Sequence, residues 1–438
     1  MRVTRRVFAG LMVAGALAAT GARAAPRDPA RVIGAWYKLI LALVRHTPTM
    51  SPPVASRAMG YIGVALYETV ASGAAGMTSL AGQVNGLTPP PSREDGATYD
   101  AAVALHAVLA ASVAGYFSNT GPTGQRAMAA MTRKLGEQVA EGVAADVAAR
   151  SQTYGQAVAA HILNWSLTDG GADITNMGFP YDFTPAKGPA HWVPTSLVRQ
   201  QQAPLLPDWG TNRPFAMPHG ASCPLPPPPA YSEDPASQFY KEAMEVVTVK
   251  AGLTDEQRLI ARFWSDDPML SPTPPGHWIS IALQILARDG AGVEQSADVL
   301  ARLGMAVSDA FIGCWQAKFE YDLLRPVTYI RRVIDPTWEP LLITPPFPEY
   351  PSGHSTQSGA AAEVLTALFG AEFVFSDATH LDEGMPTRDY AGFWAAAEEA
   401  GTSRLYGGIH FRAAIDRGLD QGRCIAGYVN ALKTVGEG

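Results

Sequence analysis

Lys318-Phe319-Glu320-Tyr321-Asp322-Leu323-Leu324-Arg325-Pro326 is the first of four fragments that decide how this chain is read. The others are Pro351-Ser352-Gly353-His354, the pair Ser403-Arg404, and His410. Together they offer three fixed cations, a helix-start loop and two histidines, a combination suited to a tetrahedral oxyanion. Arginine supplies a planar fork for two oxygens and lysine a point charge. Lys318 and Arg325 are seven apart, which on one continuous helix predicts a shared face two turns apart. Phe311, Trp315 and Phe319 wall that face, so a solvated cationic surface is the poorer reading. Pro351 and Ser352 suit a helix start, and Gly353 lets backbone approach an anion closely. The free N–H groups and positive dipole end of that helix then point at the ligand. His354 can give or take a proton near neutral pH. Gly407-Gly408 allow a tight bend that aims Arg404 and His410 inward. An imidazole nitrogen at the bottom of such a pocket can bond the oxyanion's central atom directly or attack it as a nucleophile.

Working outward, helical periodicity is everywhere and strand signals are scarce, so the expected class is all-α, two packed helical bundles. Val32-Ile33, Trp36, Leu39-Ile40 and Leu43 recur at three and four residues. Similar patterns predict helices over 54–73, 98–118, 123–140, 144–167 and 236–249. Thr254 with Gln257 forms a capping-box pattern before Leu259-Ile260. Residues 268–276 break that helix, and another follows over 277–288. A long helix is expected from about Ser296 to Leu324, stopped by Pro326, with more over 353–369, 388–400 and 410–433. Residues 204–232 are rich in Pro and Gly and end in the nearly unbroken prolines 224–229. That stretch reads as an ordered extended connector. The expected organisation is an N-terminal helical bundle over 25–203, a connector over 204–235, and a C-terminal bundle over 236–438 carrying the oxyanion site.

The chain has 438 residues, 47% hydrophobic and 17% charged, a balance that suits close-packed helices. Its net charge of −7 leaves no basic footprint for nucleic acid. Thr4-Arg5-Arg6-Val7-Phe8, an apolar run over 9–19 and Ala22-Arg23-Ala24 read as a twin-arginine export signal with its cleavage site. A signal peptide over 1–24 and a periplasmic or secreted mature chain follow as expectations. No other stretch is apolar enough to span a membrane. Of the three cysteines, Cys223, Cys314 and Cys424, at most two can pair. Cys314 and Cys424 sit inside helical patterns and read as buried small residues.

The spacing K-x6-RP … PSGH … SR-x5-H resembles the superfamily that joins vanadium-dependent haloperoxidases to type-2 phosphatidic-acid phosphatases and bacterial acid phosphatases. Residues 57–71 also resemble the first core helix of its bacterial haloperoxidase branch. The resemblance implies vanadate as cofactor, or phosphate in a phosphatase. Lys318, Arg325, Ser352, Gly353 and Arg404 would bond the equatorial oxygens. His354 would be the acid–base residue, and His410 the axial metal ligand or the nucleophile. Asp267, not separable from its neighbour Asp266, matches the carboxylate partner of the SR arginine. Trp315 and Phe347 match aromatic positions beside the halide niche of chloroperoxidase-like members.

One departure stands out. The superfamily usually carries Asp four residues after the second histidine, and here that position is Ala414. Asp416 lies about 240° around a helix from His410 and does not replace it; a backbone carbonyl is the expected substitute. The reading is a vanadium-dependent haloperoxidase-like enzyme using hydrogen peroxide, a halide and a small organic substrate. A soluble periplasmic acid phosphatase with His410 as phosphohistidine nucleophile is the alternative. A non-catalytic oxyanion-binding protein comes third. The sequence leaves the oligomeric state open.

Overall fold

The structure is a computed structural model that describes residues 28–175, 183–196 and 202–435. The expected export signal lies outside them. Fourteen α-helices follow in chain order among the described residues: α1 Pro29–His46, α2 Pro52–Ala71, α3 Ala101–Tyr116, α4 Pro122–Ala140, α5 Ala145–Ser166, α6 Gly171–Thr175 and α7 Gln238–Ala251. The rest are α8 Asp255–Phe263, α9 Thr273–Arg288, α10 Val293–Tyr321, α11 Pro326–Val333, α12 Gly353–Phe369, α13 Phe393–Tyr406 and α14 Arg412–Asn430. Strands β1 Phe375–Asp377 and β2 Arg388–Tyr390 pair antiparallel, with Ser376 opposite Asp389. The all-α class therefore holds. The capping box at Thr254 forms as its sequence predicts. Residues 388–390 pair as a strand, and the helix expected there starts at Phe393.

Helix α10 is the spine, apolar on most faces and buried for nearly its whole length. It packs on α2 on one side and on α12 and α14 on the other. Glycine permits the closest crossings: a Cβ on Gly63 of α2 would stand 2.9 Å from the Ala301 Cα of α10. Between α12 and α14, a Cβ on Gly422 would come within 2.1 Å of the Thr356 carbonyl oxygen. That backbone-to-backbone contact brings the start of α12, where Ser352 and His354 sit, against the segment that carries His410.

Two expectations are corrected here. First, α10 stops at Tyr321, because Asp322 adopts a left-handed conformation (φ 45°) and its N–H closes on the Lys318 carbonyl. Asp tolerates that region better than most residues, and the Asp322 carboxylate also meets the His191 imidazole at 3.1 Å. The chain after Asp322 is held by backbone bonds from Trp192 to Asp322, Leu324 to Ala190 and Glu349 to Leu323. Arg325 is consequently the N-cap residue of α11 and does not share a helix face with Lys318. Second, Cys424 is not a lone buried thiol. It is joined to Cys223 in a disulfide, with Cα atoms 6.0 Å apart, and Cys314 is the free, buried cysteine. The bond ties the connector to α14 across 201 residues of sequence.

The connector is packed despite its prolines. Trp209, Phe215 and Met217 are buried in the main core. Tyr321 and Tyr350 donate their hydroxyls to the Leu225 and Pro226 carbonyls. Asp309, fully buried midway along α10, accepts backbone N–H bonds from Phe215 at 2.6 Å, Ala216 at 2.8 Å and Met217 at 3.2 Å. Burial pushes its carboxyl up from 3.8 to about 6, although those three donors pull it down. A folded-state value above the unfolded one makes its stabilising contribution complete below about pH 4 and lost as the pH rises through about 6. A shift of roughly two units corresponds to about 3 kcal/mol. Denaturant unfolding across that window is expected to show the decline in the wild type. In Asp309→Asn the same stretch should be flatter by about one proton's worth of slope.

Candidate active site

The four fragments converge from five places: the last turn of α10, the N-cap of α11, the start of α12, the end of α13, and the turn that leads into α14. Lys318 is fully buried, and its ammonium donates to three carbonyls of one loop, Pro348 at 2.8 Å, Glu349 at 3.0 Å and Pro351 at 2.5 Å. It therefore braces the loop that precedes α12. Phe347 lies 5.1 Å and Trp315 5.9 Å from the ammonium, and their two rings meet at 4.9 Å. Burial pulls the Lys318 ammonium down to about 7. Trp315 is itself anchored, its indole N–H donating to the Leu205 carbonyl.

Arg325 is also fully buried. Its Nε donates to the Phe347 carbonyl at 2.8 Å and its Nη1 to the Ile409 carbonyl at 2.9 Å. Nη1 stands 3.1 Å from His410 Nε2. The other ring nitrogen, Nδ1, faces Glu349 Oε1 at 2.9 Å, and the same oxygen accepts the Phe411 N–H at 2.8 Å. These partners assign the tautomer. Nδ1 carries the proton because it faces a carboxylate, and Nε2 keeps the lone pair because it faces a guanidinium N–H. Burial, then the charges of Arg325 and Lys318, hold His410 well below its usual range, so the ring is neutral.

Glu349 is thus the carboxylate that orients His410, and neither Ala414 nor a backbone carbonyl takes that part. Because α14 begins only at Arg412, His410 lies ahead of the helix and has no next-turn partner at position 414. The Ala414 carbonyl instead accepts the Ser352 N–H at 2.9 Å. Burial raises the Glu349 carboxyl to about 7 against the pull of Arg325. Its second oxygen, Oε2, is buried without a hydrogen-bond partner.

Ser352 caps α12, its hydroxyl accepting from the Ser355 N–H. Gly353 is the first helical residue, and a Cβ there would meet protein atoms no closer than 3.6 Å. Packing within the chain thus does not demand glycine at that position. His354 is partly exposed as a residue, but its Nε2 is covered and unpartnered. Burial and the Arg404 charge hold His354 well below its usual range, although a hydrogen bond to the Trp264 backbone pulls upward. Arg404 is buried, with Nε donating to Ser403 Oγ at 2.9 Å and Nη2 to the carbonyls of Trp264 at 2.6 Å and Ala261 at 3.2 Å. Its Nη1 has no protein acceptor among the described residues.

Neither acidic neighbour pairs directly with Arg404. Asp267 is exposed and only within electrostatic reach of the guanidinium, while Asp266 is buried and turned to His277 and His380. The Trp264 and Ala261 carbonyls grip the arginine instead.

Arg325 Nη2 and His354 Nε2 are buried polar atoms without partners. Stranding a buried donor costs about 1–3 kcal/mol or more when it is charged. A free guanidinium N–H and an uncrowded glycine N–H at a helix start can donate to an oxyanion such as vanadate, and the unpartnered imidazole nitrogen can accept from a protonated oxygen of it. The residues present fit that group. Sequence reading missed Glu349, whose signal was a single acid in the apolar, proline-rich Pro345–Pro351 loop.

A profile described as the VCPO second helical-bundle domain matches residues 298–435. A bacterial vanadium-dependent iodoperoxidase of known crystal structure is 37% identical, with a TM-score of 0.84 over 93% of this chain and 97% of that one. A bacterial vanadium-dependent chloroperoxidase, in its metal-bound form, superposes with a TM-score of 0.67 over 88% of this chain and 93% of that one, and at 17% identity shows the fold alone. The vanadium chloroperoxidase of Curvularia inaequalis is 28% identical over 132 residues, a match spanning 22% of that protein's length.

Removing the orienting carboxylate should loosen His410 without removing it. Second-sphere partners of this kind are worth about 10–100-fold in metal affinity. Glu349→Ala is therefore expected to weaken orthovanadate binding by that range in isothermal titration, and Glu349→Gln, which can still accept from Nδ1, by less. Equal affinities in all three proteins would mean that Glu349 does not position the imidazole.

Proposed function

The chain belongs to the vanadium-dependent haloperoxidase family, and from that premise we propose that it oxidises a halide with hydrogen peroxide at a vanadate held by His410. The observation that carries this reading is the neutral His410, its Nε2 lone pair directed by Glu349, beside the unpartnered Arg325 Nη2 and His354 Nε2. When bound, vanadate supplies a Lewis-acidic centre that activates hydrogen peroxide toward halide. The chain's own residues do the rest. Arg325, Arg404, Ser352 and the Gly353 N–H hold the oxyanion. Lys318 adds positive charge and fixes the 348–351 loop. His354, neutral at working pH, takes a proton at Nε2 as peroxide arrives. Trp315 and Phe347 provide the apolar flank a weakly hydrated halide needs. Iodide is the first halide to try, given the likeness to an iodoperoxidase.

Export from the cytoplasm belongs to the same proposal. The Cys223–Cys424 disulfide suits an oxidising compartment, in line with the twin-arginine-like start of the chain. No helix among the described residues is long and apolar enough to cross a membrane.

The direct test supplies orthovanadate to the purified chain and measures peroxide-dependent halogenation beside p-nitrophenyl phosphate hydrolysis. Halogenation is the expected activity; hydrolysis alone would move the phosphohistidine alternative to first place. His354→Ala should keep vanadate binding and lose about 10²–10⁴-fold in halogenation rate. Arg325→Ala should cost up to two charge-assisted bonds, each about 1.5–3 kcal/mol of oxyanion affinity. Arg325→Lys should recover only part of that, since the planar fork is gone.

A further inference from the structure

Outside the oxyanion site, Asp266, His277 and His380 meet from three elements: the loop after α8, the second turn of α9, and the turn after β1. All three are buried. His277 Nδ1 lies 2.9 and 3.1 Å from the two Asp266 oxygens, and His380 Nε2 lies 3.2 Å from Asp266 Oδ1. One donor atom from each residue falls within 4.8 Å of the others. A tetrahedral ion with bonds of about 2.0–2.2 Å asks for donor separations of about 3.3 Å. Behind each ring stands a carboxylate: Asp377 Oδ2 at 2.7 Å from His277 Nε2, and Glu383 Oε2 at 3.3 Å from His380 Nδ1. Carboxylates in that place fix the tautomer and orientation of metal-binding histidines. Neither nitrogen of the buried His380 ring makes a hydrogen bond, although both lie at ion-pair distance from an acid.

We propose that Asp266, His277 and His380 bind a first-row divalent transition ion of the zinc class, in a structural role. Two imidazoles and one carboxylate suit zinc, whereas calcium and magnesium take oxygen ligands. The two rings and the Asp266 carboxylate, which would bind through both oxygens as one bidentate group, would supply the donors. Burial leaves no open position for a substrate, so the site is closed, as structural zinc sites are.

The ion would clamp a strained loop. Asp266, Met269 and Thr273 all have positive φ, at 48°, 69° and 63°, and a β-branched residue in that region is rare. Trp264, at the loop's start, stacks on His277 with ring centres 4.4 Å apart and gives its carbonyl to Arg404. The clamp thereby holds one wall of the oxyanion site without touching the oxyanion, and it does not depend on which anion binds there.

Elemental analysis of the tag-free, desalted chain tests this, with zinc-class metals counted separately from vanadium. The expected result is about one equivalent in the wild type and none in His380→Gln. Chelator treatment should lower the melting temperature of the wild type, zinc should restore it, and His380→Gln should respond to neither. Asp377→Asn, with the ligands intact, should bind the ion about 10–100-fold more weakly in competition with a chromophoric chelator. The proposal is overturned by a wild type that holds no such metal and takes up none on zinc titration; His277 would then be an imidazolium clamped between two carboxylates. A His380→Gln protein that keeps its equivalent would overturn it as well.

Discussion

Lys318 donates to three carbonyls of the 348–351 loop, and the position of that loop governs most of the site. An ammonium buried in an apolar bundle is tolerated only when its donors are satisfied, and here one stretch of backbone satisfies all three. The same stretch presents Glu349 to His410, carries Ser352 to the cap of α12, and ends where Gly353 opens the helix. Moving the loop would therefore displace the orienting carboxylate and the start of α12 together.

The two histidines differ by what surrounds them. His410 is fixed at both nitrogens, by Glu349 on one side and Arg325 on the other, so it stays neutral with a directed lone pair. His354 has one nitrogen unpartnered and is within electrostatic reach of Arg404, so it is not fixed at both nitrogens as His410 is. Arg325 and Arg404 are each held through carbonyls, Phe347 and Ile409 for one, Ala261 and Trp264 for the other. Neutral backbone acceptors position the guanidinium groups without cancelling their charge, which stays available to an anion.

What the sequence by itself determined was local and periodic. The helical class, the capping box at Thr254 and the start of α12 at Gly353 follow from apolar spacing and cap chemistry, which act over a few residues. The candidate site residues Lys318, Arg325, Pro351 to His354, Arg404 and His410 could be grouped from their order along the chain, before the fold showed where each one lies. The tertiary structure decided what depends on partners far apart in the chain. The break at Asp322, which takes Arg325 off the α10 face, comes from backbone pairing with residues 190–192. The Cys223–Cys424 bond joins positions 201 residues apart. Glu349 reaches His410 across 61 residues, and Asp266 meets His277 11 residues on and His380 114 residues on. No periodicity records such contacts, since each is set by how helices pack and where loops are pinned, and a side chain's role there is fixed by the neighbour that packing delivers.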